Sequence, residues 1–153
     1  MKWIMKNLLN GLSAFFLALW PLVASGQPSV VGPLQGGEFE AAVTGRTFAY
    51  EVEGETYGME RYLSGRRVIW AFSGAPCREG VWHEPVAGLI CFVYEGEPEQ
   101  HCWTFRPSAG SGLRADFLGS GATGPDGQPG NDLPVLARPT SEPMICPGPD
   151  VGV

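Results

Sequence analysis

Beyond residue 6 the sequence has no lysine, and the whole chain has two histidines, His83 and His101. With Lys2 and Lys6 set aside, eight arginines face 16 carboxylates, a net charge of −8. So acidic a surface repels phosphate backbones and anionic lipid, so we expect no nucleic-acid partner and no lipid surface. The shortage of histidine bears on catalysis. A serine or cysteine nucleophile needs a base within reach, only His83 and His101 are on offer, and no Gly-x-Ser-x-Gly element is present. Neither Cys-x-x-Cys nor His-x-x-x-His spacing occurs, which leaves His83, His101, Cys91 and Cys102 as a weak ligand set. Glu95, Glu97 and Glu99 do cluster, but at a predicted hairpin tip, where a solvated turn is the ordinary reading. We expect no enzyme, no catalytic residue, no metal and no cofactor.

Long apolar runs are confined to one place. Lys2 and Lys6 precede a stretch from Leu8 to Val23 broken only by Asn10, Gly11, Ser13 and Pro21. Ala24-Ser25-Gly26 then offers small residues for a cut before Gln27. The alternative is a single membrane anchor, against which Pro21 and the small residues after it argue. No cysteine lies near the cut, so the lipid-anchored class is excluded. Residues 1–26 are expected to be a signal peptide. The remaining stretch of about 127 residues is then a soluble periplasmic or secreted domain with one modest core, not stably inserted in a membrane.

All four cysteines, Cys77, Cys91, Cys102 and Cys146, lie after the leader. An even number in an oxidising compartment reads as two disulfides, with three connectivities open. The stretch from Gly80 to Phe105 narrows the choice. Gly80-Val-Trp82-His pairs back onto Leu89 to Tyr94 across Glu84 to Gly88, with Trp82 opposite Ile90. The next turn contains Pro98, which has no N–H to complete the narrow pair of a two-residue loop. A four-residue loop closed by Tyr94 and Glu99 follows, and it sets Cys91 opposite Cys102 in a non-hydrogen-bonded pair, where α-carbons come closest. Ile90, Phe92, Tyr94, Trp103 and Phe105 share the other face with Trp82, and His101 reads as a structural histidine opposite Phe92. Cys77 and Cys146 remain for the second bridge, although sequence alone does not fix that connectivity.

Upstream, 27–36 is a lead-in, and Gly37 to Thr44 places Phe39, Ala42 and Val43 at i, i+3 and i+4, a two-turn helix stopped by Gly45. From Arg46 the period becomes two, with Phe48, Tyr50 and Val52 on one face and a turn at Glu53-Gly54-Glu55. Reading Ser64-Gly65 as a two-residue loop sets Met59 opposite Trp70, Tyr57 opposite Phe72 and Arg61 opposite Val68. Leu113, Ala115 and Phe117 make the last expected strand. The Gly/Pro-rich residues 119–153 carry few large apolar side chains, so they read as an irregular tail tethered by Cys146.

The fold class expected is all-β, an antiparallel meander of about seven strands curled into a small barrel or half-barrel, with its domain at 37–118. Its aromatic set is the strongest positive feature. Tyr57, Trp70, Phe72, Trp82, Phe92 and Trp103 are candidates to line a ligand cavity, although a filled core is the expectation for so short a chain. Two roles are open. One is a non-enzymatic binding or inhibitor module of the cell envelope that uses hairpin tips or the barrel mouth. The other is a carrier of a small apolar ligand; an interior volume of a few hundred Å³ would favour it.

Glu38-Phe-Glu with Val43-Thr-Gly-Arg-Thr47, Tyr57-Gly with Glu60-Arg-Tyr-Leu, and Arg67-Val-Ile-Trp-Ala-Phe72 form a first group of motifs. Cys77 with Gly80-Val-Trp, Ile90-Cys-Phe-Val-Tyr94, Cys102-Trp and Cys146-Pro-Gly-Pro form a second. Together they resemble a group of small exported alphaproteobacterial proteins of unknown function. The resemblance implies a bacterial periplasmic or secreted setting and brings no activity with it. In size, export and disulfides the chain is also similar in plan to small periplasmic barrels that inhibit lysozyme or secreted proteases.

Overall fold

The computed structural model describes residues 32–120 and 133–147. The expected signal peptide and half of the lead-in, residues 27–31, lie outside the described residues. One short helix, α1 (Gly36–Val43), is followed by eight strands among the described residues: β1 (Thr47–Val52), β2 (Glu55–Tyr62), β3 (Arg67–Phe72), β4 (Arg78–Val86), β5 (Leu89–Tyr94), β6 (His101–Pro107), β7 (Leu113–Gly119) and β8 (Val135–Thr140). They form a closed antiparallel barrel in sequence order. Closure leaves no long strand edge unpaired, a problem that open sheets must solve by other means. No helix among the described residues is long and apolar enough to cross a membrane.

The eighth strand corrects the expected tail. Val135 and Ala137 alternate inward, and β8 pairs with β7 through Leu113↔Ala137 and with β1 through Thr47↔Thr140 and Tyr50↔Ala137. Few apolar residues suffice here because both neighbouring strands offer ready hydrogen-bonding edges, so the domain does not end at residue 118. Beyond β8 the chain is tied down by a bridge between Cys146 and Cys77, with α-carbons 5.0 Å apart. The other bridge joins Cys91 to Cys102, directly opposed in β5 and β6 with α-carbons 4.0 Å apart. It lies on the outer face of the sheet in a buried cluster with Leu89, against which Leu118 packs.

Two registers differ from the sequence reading. The β2–β3 connection is a three-residue turn at Ser64–Arg66, with Gly65 and Arg66 both at positive φ (71° and 61°). That extra residue slips the pairing by one, to Tyr62↔Val68, Glu60↔Trp70 and Gly58↔Phe72. Glu60 and Tyr62 therefore face inward while Arg61 is exposed, which removes the misfit that the other register created. In the β4–β5 hairpin a bulge lies between His83 and Val86, and Trp82 stands opposite Phe92 rather than Ile90. The shift is even, so Trp82 keeps its inward face.

The interior has two halves. Phe39 of α1 plugs one end, fully buried, with its ring 5.1 Å from Trp82, 4.5 Å from Phe105 and 5.7 Å from Tyr62. The helix is held by its first turn. The Glu38 carboxylate accepts from the Gln35 N–H at 2.9 Å, and the Gly36 N–H donates to Glu84 at 2.8 Å. Phe48, Val68, Ile90 and Leu113 complete this filled half. The other half is not filled.

Candidate functional site

Away from α1 the barrel opens into a cavity of about 380 Å³. Its wall is built from the ends of the strands remote from the helix: Tyr50 and Val52 of β1, Tyr57 of β2, Trp70 and Phe72 of β3, Tyr94 of β5, His101 and Trp103 of β6 and Phe117 of β7. Two departures from regular pairing make the space. Gly58 and Gly80 face inward without side chains, and the rings of Trp70 and Tyr94 lie across them. A β-carbon on Gly58 would sit 2.5 Å from the Trp70 ring, and one on Gly80 would sit 2.7 Å from that of Tyr94. Between Tyr50↔Gly58 and Glu51↔Thr56 the register shifts, so Tyr57 is the extra residue of a bulge that turns its ring toward Tyr50 and Trp70.

At the floor stands one carboxyl. Glu60 is 2% exposed. Tyr94 donates to its Oε1 at 2.7 Å, Tyr62 donates to its Oε2 at 2.8 Å, and Tyr50 reaches the same Oε2 at 3.3 Å while bonding the Tyr62 hydroxyl. None of the ion pairs among the described residues involves Glu60. Burial pushes its pKa up to about 7 from an ordinary 4.5, while the three tyrosine bonds pull the other way by stabilising the charged form. Burial first, and then the Glu60 charge, hold Tyr50, Tyr62 and Tyr94 well above the usual phenol range, so all three remain donors. Tyr57 is pushed up to about 12 for the same two reasons.

At the mouth, Glu97 is not a solvated turn residue. It pairs with Arg78 and accepts from His101 Nε2–H at 2.8 Å, which fixes the β5–β6 loop over one side of the opening. Phe72, half exposed, forms part of the lip. Among the described residues no group of three His, Cys, Asp or Glu side chains is placed to hold a metal ion.

Of the six aromatic residues singled out from the sequence, Tyr57, Trp70, Phe72, Phe92 and Trp103 line the cavity. Trp82 does not. It lies under α1 against Phe39, with the Arg66 guanidinium 4.6 Å from its ring centre. The expectation of a filled core holds for the helix end only, because Gly58, Gly80 and the Tyr57 bulge leave the other end open. Sequence reasoning missed Glu60 altogether, since the two-residue loop turned it to solvent. The signal that finds it is Gly58-x-Glu60-x-Tyr62 in phase with the inward residues of β3. Comparison with family models, with curated proteins and with solved structures returned no match for this chain.

Proposed function

We propose that the protein is an exported, non-enzymatic barrel that carries a small, largely apolar ligand in its open half. One observation carries this reading: a half-open, aromatic-walled cavity of about 380 Å³ inside an otherwise close-packed barrel. Cavities that bind small molecules run from about 300 to 1,000 Å³, are mostly apolar and contain a few placed polar groups, a description this one meets. A closed barrel with two disulfides is a rigid, durable container, and both bridges belong to an oxidising compartment. The bacterial periplasmic or secreted setting rests on the apolar leader at 1–26 and on the resemblance to small exported proteins.

The test is titration of the purified domain with the neutral fluorescent probe N-phenyl-1-naphthylamine, repeated with Phe72→Lys, which places a charge at the lip. The carrier reading expects saturable one-to-one binding that the lip variant weakens at least tenfold. The alternative, an envelope module that binds or inhibits another protein through its hairpin tips or mouth, expects no probe binding. It also expects a specific partner in a pull-down from periplasmic extract.

A further inference from the structure

Resting on that reading, the floor of the cavity narrows the ligand's chemistry. We propose that the ligand is a small organic cation, an ammonium group on an aromatic or aliphatic body, with its charge against Glu60 and its body among the rings of Tyr57, Trp70 and Trp103. The hydrogen-bond network is complete with Glu60 ionised. Tyr62 and Tyr94 donate to its two oxygens, and Tyr50, bonded to the Tyr62 hydroxyl, donates into the same chain. A carboxylate has about four lone-pair positions, so Oε1, with a single donor on it, keeps room for a ligand N–H. The negative charge has no cationic partner among the described residues, and a buried charge without one is costly. An ammonium supplies that partner.

The walls suit the same group. Electron-rich aromatic faces attract a cation brought within about 6 Å of a ring centre, most strongly where water is excluded. No arginine or lysine is among the residues that line the cavity, and Arg78, which reaches the lining residue Glu97, is neutralised by that pairing. The chain's surplus of carboxylates also draws cations toward it. A ligand carboxylate, by contrast, would meet Glu60 with no positive group beside it. The titratable groups facing Glu60 are the hydroxyls of Tyr50, Tyr62 and Tyr94, with Tyr57 in the wall and the Glu97–His101 pair at the mouth. Because the tyrosines keep their protons, entry of a cation ionises Glu60 and releases its proton to the solvent.

The probes are 2-phenylethylamine and its two near-isosteres, neutral 2-phenylethanol and anionic phenylacetate, titrated calorimetrically into the disulfide-intact domain. At pH 7.5 we expect the amine to bind at least tenfold more tightly than the alcohol and phenylacetate not to bind. Glu60→Gln should erase the amine's advantage over the alcohol. In wild-type protein at pH 6.5, repeating the titration in buffers of different ionisation heat should show proton release for the amine and none for the alcohol, which needs no variant to fold. Equal binding of amine and alcohol, with no proton release, overturns the cation inference and leaves the apolar-ligand reading intact. Failure of all three probes and of N-phenyl-1-naphthylamine overturns both.

Discussion

Raising the pH through neutrality in the ligand-free protein isolates Glu60. An acid whose pKa rises from 4.5 to about 7 on folding holds a proton in the native state that the unfolded chain has already released. Between about pH 4.5 and 7 the native state therefore binds more protons, and stability falls as pH climbs through that window. Above about 7 the loss is complete. The rise from 4.5 to about 7 corresponds to roughly 3 kcal/mol, a large share of the 5–15 kcal/mol typical of a domain. Denaturant unfolding at pH 5, 6, 7 and 8 measures it. Other groups titrate in this range, so the decisive quantity is the difference between wild type and Glu60→Gln, whose amide does not ionise. The wild-type curve should drop relative to the variant by about 2–3 kcal/mol from pH 5 to pH 8. Parallel curves would refute the reasoning, because they mean that the carboxyl is solvated and ionised at pH 5 and is not the buried floor of a cavity.

Phe39→Ala should cost about 3–5 kcal/mol, since the ring is fully buried among Trp82, Phe105 and Tyr62. Trp70→Ala, in a partly exposed wall, should cost clearly less and abolish probe binding, and equal losses in urea unfolding would contradict the two-halves description. Gly58→Ala puts a β-carbon 2.5 Å from the Trp70 ring and 2.8 Å from the Ala71 carbonyl oxygen, so it should destabilise by about 1–3 kcal/mol and shift tryptophan fluorescence. Under limiting reductant, alkylation followed by mass mapping should label Cys77 and Cys146 before Cys91 and Cys102, because Cys146 is exposed and the β5–β6 bridge is fully buried. Cys146→Ser should cost about 2–4 kcal/mol by opening a 69-residue separation, with β8 still docked at neutral pH and resistant to brief proteolysis.

What the sequence made legible follows from where local chemistry was decisive. Pro98 ruled out the tight turn, so the β5–β6 register and the Cys91–Cys102 bridge could be read directly. Phe39, Ala42 and Val43 were enough to place α1. The β2–β3 register slipped because hydrophobic matching rewarded Met59 and Tyr57 as inward residues and treated Glu60 as solvent-facing. A buried carboxyl breaks the apolar pattern, so pattern matching fails at that position. Arg66 at positive φ was equally invisible, being neither glycine nor asparagine. β8 was hidden by the Gly/Pro-rich composition of 119–153 and its few large apolar side chains, and Pro139 is a residue that ordinarily demotes a strand. Pro139 lies beyond the last pairing with β7, at Leu113↔Ala137, and pairs only with Phe48 of β1.

The last strand supplies both seams of the barrel, and this sets an order of events in time. Thr47 opens β1 and its partner across the seam, Thr140, ends β8. Any machine that releases the chain N-terminus first must deliver nearly the whole domain before β1 or β7 has its second neighbour. Until then both strands present open edges to solvent and to other chains. Because closure needs β8, it comes late in synthesis, and so distant a pairing in sequence favours slow folding. A chain held back from folding in this way stays threadable through a narrow channel until its end emerges. The same delay makes truncation before residue 135 far worse than the loss of one six-residue strand suggests, leaving an uncapped sheet that is apt to aggregate.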